Sequence, residues 1–305
     1  MAEPKRGSMD GSRRQRVAAA LAMIMLAPPL GAAERRPTAP AVCRPETVAT
    51  GTVKSIIDAR TFVLADGREV RLAGIEVPPL PGAAAPAHIR AAATPGAAQS
   101  SHDPGLDSSL DPGLAAAAAL ESLIGGREVL LRHSKFVTDR YGRILADAAA
   151  AGSESPSAIK SLLAQGFARL AAHGAEPACT AELRAAERAA RAAKLGLWAN
   201  SRYFPKAADD PAGVLAERGR FTLVEGKVVS VRESGGTIYV NFGRRWSEDF
   251  TVTILKRNER QFTAAGLAVR SLAGRRVLVR GWIEQRGGPW IEATEPQQIE
   301  VIADK

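Results

Sequence analysis

Charged residues stand at the ends of strand-like segments at three places in the first half of the chain. They lie in Asp58-Ala59-Arg60-Thr61, in the segment from Val70 to Pro78, and in the turn from Thr138 to Arg143. A guanidinium group can donate two parallel hydrogen bonds to one phosphate, and a carboxylate can hold a metal ion or accept a proton. These residue types could therefore bind phosphate, and could hydrolyse it only if enough carboxylates are present.

Hydrophobic periodicity predicts the elements that would position these residues. In chain order they are strands Val48 to Ile57, Thr61 to Ala65 and Glu69 to Ile75, helix Leu114 to Ile124, strands Glu128 to Phe136 and Ile144 to Ala149, and helices Ser157 to Gln165 and Thr180 to Lys194. Asp66-Gly67 between the second and third strands is a strong hairpin signal. A helix after the third of five strands predicts the oligonucleotide-binding (OB) barrel.

Composition predicts the domain boundaries. We expect an export signal over 1–33, linkers over 34–47 and 207–219, an OB domain over 48–206 and a second domain over 220–305. Residues 79–113 are rich in Pro, Ala, Gly and Ser and predict a long surface loop. Strand patterns recur in the second domain, at Thr222 to Arg232, Thr237 to Phe242, Asp249 to Ile254, Val277 to Glu284 and Trp290 to Ala293, with a helical pattern at Glu259 to Leu272. The predicted fold class is therefore α+β, an OB barrel with helices followed by a second small OB-like barrel.

Four motifs in the first domain resemble the thermonuclease (staphylococcal-nuclease-like) family in order and spacing. They are Gly51-Thr52-Val53 leading to Asp58-Ala59-Arg60-Thr61, Val70-Arg71-Leu72-Ala73-Gly74-Ile75-Glu76-Val77-Pro78, Thr138-Asp139-Arg140-Tyr141-Gly142-Arg143, and Leu195-Gly196-Leu197-Trp198. The resemblance covers roughly residues 48–200. It implies an OB barrel and a phosphodiester-hydrolysing ancestry.

The resemblance also implies roles for single residues. Arg71 and Arg143 match the family's phosphate-binding arginines, Glu76 matches a calcium-binding aspartate, and Tyr141 matches a tyrosine beside the ligand. Arg71, Glu76 and Arg143 therefore occupy the catalytic positions. The alternatives are that both arginines are ordinary surface residues, as we expect of Arg184 on the last helix, and that Tyr141 is a half-buried structural residue.

The metal and base positions depart from the family pattern. The family's Asp-Gly-Asp-Thr reads Asp58-Ala59-Arg60-Thr61, so an arginine stands where a carboxylate would bind calcium, and the family's water-activating glutamate is replaced by Pro79. Calcium needs six to eight oxygen ligands, so we expect no cofactor. Arg60 could pair with Glu76 or Asp58 and add a third cation to the phosphate site. Three loop carboxylates could reach in as a base, with none favoured by its spacing: Asp103, Asp107 and Asp111.

The N-terminus predicts export to the periplasm or secretion. Arg13, Arg14 and Arg16 precede the apolar run from Val17 to Leu30, which is short for a bilayer span, and small residues follow it. The alternative is an uncleaved membrane anchor. In an oxidising compartment the two cysteines, Cys43 and Cys179, could form one disulfide, and the alternative is two free thiols.

Basic charge is concentrated in the second domain. Of the formal charge of +9, the segment 218–305 carries 15 basic and 10 acidic groups, which is +5. This excess favours nucleic acid or another polyanion as partner, although it could equally be a solvated face. Aromatic residues interleaved with arginines suit base stacking unless alternation buries them: Tyr239, Phe242, Trp246, Trp282 and Trp290 with Arg244, Arg245, Arg280 and Arg286. Trp246 is the best candidate for exposure.

Two functions from different classes remain open. The first is an exported binding module for nucleic acid or another polyanion, with calcium-dependent catalysis lost. The second is a secreted or periplasmic nuclease with an atypical active site. Arg60 and Pro79 favour the first.

Overall fold

The computed structural model describes residues 43, 45–82, 111–133, 137–152, 156–171, 173–245 and 247–302. The predicted export signal, most of the following linker, the interior of the 79–113 loop and Trp246 lie outside these residues. All of the described residues belong to one compact unit.

Five strands of the first domain close into a barrel in the order β1-β2-β3-β6-β5. The strands, with two short ones outside the barrel, are β1 Thr47–Asp58, β2 Thr61–Leu64, β3 Glu69–Leu72, β4 Ile75–Glu76, β5 Glu128–Arg132, β6 Ile144–Ala150 and β7 Arg169–Leu170. The β2–β3 hairpin turns at Asp66-Gly67, where Gly67 has a φ of 87° that favours glycine. Since β3 also pairs in parallel with β6, the predicted OB topology of the first domain is confirmed.

Three helices pack on the barrel and keep their predicted places. They are α1 Pro112–Ile124, α2 Ala158–Ala164 and α3 Thr180–Ala192. Asp111 accepts hydrogen bonds from the first amides of α1, and Ser157 does the same for α2. The barrel and these helices share one apolar core that includes Phe62, Leu120 and Leu162.

The predicted disulfide is present. Cys43 and Cys179 are bonded across a sequence separation of 136 residues. Cys179 is buried and directly precedes α3, so the bond ties the residues before β1 to the start of this helix. Cys179 takes the N-cap position of α3 without a side-chain hydrogen bond, and Thr180 is the first residue of the helix.

The second domain contains two sheets, not one closed ring. Its elements are β8 Lys206–Ala207, α4 Pro211–Leu215, β9 Phe221–Lys227, β10 Ser230–Ser234, β11 Thr237–Asn241, β12 Thr251–Leu255, α5 Glu259–Ala264, β13 Arg276–Trp282, β14 Glu284–Arg286, β15 Gly288–Glu292 and β16 Ile299–Ile302. One sheet has the order β10-β11-β12-β15-β14 and the other β16-β13-β9-β8. The predicted linker 207–219 differs from expectation, because β8 pairs with β9 and Val214 of α4 is buried.

A buried ion pair joins the two domains. Arg280 on β13 donates to Glu187 on α3 at 2.8 Å and to Glu300 on β16 at 3.2 Å, and its side chain is 0% exposed. An apolar cluster beside it brings Trp198 and Ala190 of the first domain against Phe221, Leu223 and Leu278 of the second. The prediction that Arg280 contributes to nucleic-acid binding is therefore wrong, since its guanidinium group is buried and paired with two carboxylates inside the protein. Among the described helices, none combines the length and apolar character that crossing a bilayer requires.

Candidate phosphate-binding site

The turn between β1 and β2 places Arg60 against Glu76. Asp58 accepts the Arg60 backbone amide at 2.8 Å, which holds the two-residue turn. Nη1 of Arg60 then reaches the β4 strand, where it lies 2.5 Å from Oε1 of Glu76 and 3.2 Å from the carbonyl oxygen of Ile75. The expected pairing of Arg60 with a carboxylate is thus found with Glu76.

The side chains at this turn do not fit a calcium ion. One oxygen of Asp58 is held by a backbone amide, and the Glu76 carboxylate is held by a guanidinium group. The positive side chain of Arg60 therefore already holds one of the two carboxylates that would have to share the ion, and calcium needs six to eight oxygen ligands.

The guanidinium group of Arg71 on β3 interacts with the charged side chains around it. Burial lowers the pKa of the Arg71 guanidinium first, the positive charges of Arg60 and Arg143 lower it further, and Glu76 and Asp58 partly oppose this shift. Its guanidinium makes no hydrogen bond or ion pair with any residue that the structure describes. Arg71 is therefore a half-buried cation with its donors available to a ligand.

The loop before β6 holds Arg143 through Asp139. One oxygen of Asp139 accepts the amides of Tyr141 and Arg143, and the other accepts Nε of Arg143 at 2.7 Å. Burial would raise the pKa of Asp139, but the hydrogen bonds from Arg143 and from the two amides outweigh it and lower the pKa. This carboxylate fixes the Arg143 side chain in one direction.

Tyr141 is exposed, and two guanidinium groups lie close to its ring. Its side chain is 66% exposed, and Cζ of Arg140 and of Arg143 lie 4.7 Å and 5.1 Å from its ring centre. Arg140 also donates to the Tyr141 hydroxyl at 2.7 Å. The alternative of a half-buried structural tyrosine is therefore wrong, and the ring is accessible to a ligand at the arginines.

The base position offers no carboxylate among the described residues. Pro79 is exposed, and its carbonyl oxygen lies against Gly113 at the start of α1. Asp111 caps that helix by accepting the amides of Gly113 and Leu114. Its role as a replacement base is therefore disfavoured, whereas Asp103 and Asp107 lie outside the described residues.

Arg169 was missed by sequence analysis. It pairs across the β4–β7 ladder with Glu76, and its Nη1 donates at 2.7 Å to the carbonyl oxygen of Phe221, the first residue of β9. Burial lowers its pKa, while the negative charge of Glu76 is among those that oppose the shift. The strand that carries Glu76 is therefore linked to the second domain through one side chain. No motif marks Arg169, because its partner lies 52 residues away.

The predicted stacking residues of the second domain differ in their exposure to solvent. Phe242 lies in the core, and Trp290 is only 4% exposed because Arg286 covers it. Tyr239 is half-buried at the surface, and Arg244 and Arg245 are exposed. The prediction of stacking platforms is thus wrong for Phe242 and Trp290.

A cavity of about 340 Å³ lies elsewhere in the first domain. Its wall includes the disulfide, His133, Glu176 and Asp147. Burial raises the pKa of Asp147, against hydrogen bonds from Ser157 and from the amides of Ile159 and Ala148. Arg60, Arg71 and Arg143 do not line this cavity, so it is separate from the candidate phosphate site.

Comparison with known proteins supports the same location. Residues 69–200 match the family model described as staphylococcal nuclease homologue. The match begins at the first residue of β3 and includes Arg71, Glu76 and Arg143, whereas the Arg60 turn lies before it. No curated protein matches the chain.

Proposed function

We propose, from the premise that residues 69–200 belong to the staphylococcal nuclease homologue family, that the first barrel binds nucleic acid or another polyanion through Arg71 and Arg143. The binding is independent of calcium. The family assignment supports a nucleic-acid ligand, and the charges at the site support a phosphate contact.

The available donors of Arg71 carry this proposal. Arg60 and Arg143 are held by Glu76 and Asp139, so their charges are partly neutralised within the protein. Arg71 lies close enough for both to lower its pKa, yet it has no partner among the described residues. A phosphate group beside Arg71 would relieve this repulsion and would accept its unused N–H groups. Phosphate contacts of this kind provide affinity without reading the base sequence.

Loss of calcium-dependent hydrolysis is the second part of the proposal. Hydrolysis of a phosphodiester requires charge neutralisation, a means of polarising the phosphate, and a base for the attacking water. Arginines can supply the first requirement. The Arg60–Glu76 pair occupies the place of the metal, and Pro79 stands at the position of the base. We therefore infer a binding function.

A nuclease remains the second candidate because the family's positions Arg71, Glu76 and Arg143 are all occupied by charged residues of the required sign. In that case Glu76 would have to exchange Arg60 for water or a metal ion. The ion pair between the two residues would have to open first.

Export is also part of the proposal. Arg13, Arg14, Arg16 and the following apolar run have the pattern of a cleaved signal. The Cys43–Cys179 disulfide supports it, since disulfides persist in the periplasm and outside the cell. We expect the mature protein in one of these compartments.

For the second domain we propose an OB-like barrel that is bent open into two sheets. Only Val228 and Val229 separate β9 from β10, and only Ile283 separates β13 from β14. If β9 with β10, and β13 with β14, are each counted as one bent strand, the strand order of the second domain is the same as that of the first barrel. The parallel pairing of β12 with β15 and the helix after β12 support this interpretation.

One experiment separates binding from hydrolysis. Fluorescence anisotropy with labelled single-stranded DNA and RNA should show weak, salt-sensitive binding that is equal with calcium and with a chelator. The same samples, resolved on a denaturing gel, should contain uncut oligonucleotide. Calcium-dependent cleavage that is lost in Glu76→Gln would overturn the proposal in favour of the nuclease.

A further inference from the structure

The outer face of the β10-β11-β12-β15-β14 sheet contains a pocket that is lined by polar and aromatic side chains. Ile238, Val240, Val252 and Ile254 point into the core, so their neighbours along each strand point outward. These outward residues surround a pocket of about 240 Å³ whose wall includes Tyr239, Thr253, Arg286, Trp290 and Glu292. The volume is below the range for drug-sized ligands and suits a single ring system.

Strand register places the polar groups in one row across this face. Arg232 on β10 is opposite Tyr239 on β11, Tyr239 is opposite Thr253 on β12, and Thr253 is opposite Glu292 on β15. Side chains directly opposite each other on neighbouring strands are in contact range. The row therefore runs from a cation, through an aromatic ring and a hydroxyl group, to a carboxylate.

A stacked pair of side chains lines part of the pocket. Cζ of Arg286 lies 3.6 Å from the centre of the Trp290 ring, and Trp290 is buried although it is on the outer face. Arg286 itself is exposed. The guanidinium group is planar, so the side that faces away from the indole can stack on another flat ring. Bases stack on such arginine planes as they do on aromatic residues.

Two charged side chains on this face, Arg232 and Glu292, have no hydrogen-bond or ion-pair partner among the described residues. Arg232 is exposed. Glu292 is half-buried in the pocket and would repel a phosphate there. A carboxylate can instead accept a hydrogen bond from the exocyclic amino group of a base. Arg232, at the edge of the pocket, is placed to neutralise a phosphate outside it.

We propose that this face is a base-binding subsite for single-stranded nucleic acid. One base lies against Tyr239 and Arg286, its exocyclic amino group donates to Glu292, and the adjoining phosphate meets Arg232. The subsite prefers cytosine, which has this amino group, to thymine, which has a carbonyl group in the same place. The proposal rests on the proposed function for its ligand class, but it uses a different domain and different residues.

The test compares labelled oligodeoxycytidine with oligothymidine of equal length, using fluorescence anisotropy and the full-length protein. The parent should bind the cytidine oligomer at least about fivefold more tightly. Glu292→Gln should abolish or reverse this preference, because its amide can donate to the thymine carbonyl. Tyr239→Ala should weaken binding of both oligomers at least about fivefold, whereas Tyr239→Phe should retain it. Circular dichroism melting curves check that each variant is folded.

A double variant in the first domain separates this proposal from the proposed function. In Arg71→Ala/Arg143→Ala, overall affinity should fall while the preference for cytidine persists. If Tyr239→Ala and Glu292→Gln change nothing while the double variant loses binding, this proposal is wrong and the proposed function stands. If binding depends on Tyr239 but not on the two arginines, the proposed function fails instead. Absence of oligonucleotide binding by the parent would overturn this proposal and the nucleic-acid form of the proposed function. Binding of a neutral oligosaccharide at Tyr239 instead of a base would overturn the subsite alone.

Discussion

Nη1 of Arg60 and Oε1 of Glu76 lie 2.5 Å apart, with both side chains only 15% exposed. The charge of the Glu76 carboxylate is therefore balanced by a side chain of the protein itself. A divalent ion at Glu76 would have to displace this guanidinium group.

We predict that calcium does not bind tightly beside Glu76. Calorimetric titration of calcium into the parent and into Glu76→Gln should give the same result, because Glu76 already holds Arg60. Arg60→Asp should bind calcium more tightly than the parent, since it removes a cation and adds a carboxylate. A calcium site in the parent that disappears in Glu76→Gln would contradict the prediction.

The disulfide should contribute strongly to stability. Cys43→Ala/Cys179→Ala is expected to lower the free energy of unfolding by about 2–5 kcal/mol, since the bond closes a long loop in the unfolded chain. Urea unfolding with and without reductant measures this. The parent should lose stability in reductant, while the double variant should not respond. Labelling of two thiols in unfolded, unreduced parent would refute the bond.

The buried ion pair between the domains predicts unequal effects for two arginines. Arg280→Ala should cost about 3–5 kcal/mol, because it leaves Glu187 buried and unpaired. Arg188 also contacts Glu300, at 2.8 Å, but its side chain is 51% exposed. Arg188→Ala should therefore cost less than about 1 kcal/mol. Equal costs in urea unfolding would show that Arg280 is not the anchor of the interface.

Two aspartates should respond to pH with opposite signs. Burial raises the pKa of Asp147 above 3.8 in the folded protein, so its stabilising contribution is present below 3.8 and is lost as pH rises through the folded pKa. The pKa of Asp139 is lowered from 3.8, so its contribution is present above 3.8 and is lost as pH falls through the folded pKa. Each effect is isolated by comparison with the matching Asn variant.

Urea unfolding at about pH 4 and about pH 7 tests the sign for Asp147, and unfolding at about pH 2 and about pH 4 tests the sign for Asp139. On going to the higher pH, the parent should lose stability relative to Asp147→Asn and gain stability relative to Asp139→Asn. Asparagine retains an acceptor for the local amides in each case, so the comparison isolates the titrating proton. The same direction of change for both aspartates would contradict the assignment.

The first barrel could be predicted from sequence because its signals are local. Asp66-Gly67 marks the hairpin, Ser157 marks the start of α2, and Gly166 ends α2 with a φ of 75°. In the second domain, Thr222 to Arg232 was predicted as one strand. The structure divides it at Val228 and Val229, whose amides bond to Arg275 and Asn241 in different places. Local periodicity does not contain this information.

The roles of several arginines could not be predicted, for a related reason. Arg184 was expected at the surface, but it donates to the carbonyl oxygens of Gln297 and Ile299 in the second domain. Arg280 and Arg169 likewise find partners 93 and 52 residues away. Their surroundings are created by docking of the domains. Arg71 and Arg143 were predicted because they are carried by short motifs.

The last prediction concerns Arg71 and Arg143 as the phosphate contacts. Arg71→Ala and Arg143→Ala should each weaken binding of a short single-stranded oligonucleotide by about 1–3 kcal/mol, the scale of hydrogen bonds to charged groups. Each should also reduce the dependence of log affinity on log salt by about 0.7, as expected for one lost phosphate contact with a single strand. Arg71→Ala should have the larger effect, because Arg143 is already held by Asp139.

Arg127→Ala is the matched control, because this arginine is exposed in the same domain and its side chain has no partner among the described residues. Arg184 is unsuitable, since its replacement would disturb the domain interface. Arg127→Ala removes the same charge as the site variants, so any larger loss in those variants measures the site and not the bulk charge. Anisotropy titrations at several salt concentrations provide both quantities. If all three variants lose the same affinity, the arginines near Glu76 attract the ligand only through net charge, and no phosphate site exists there.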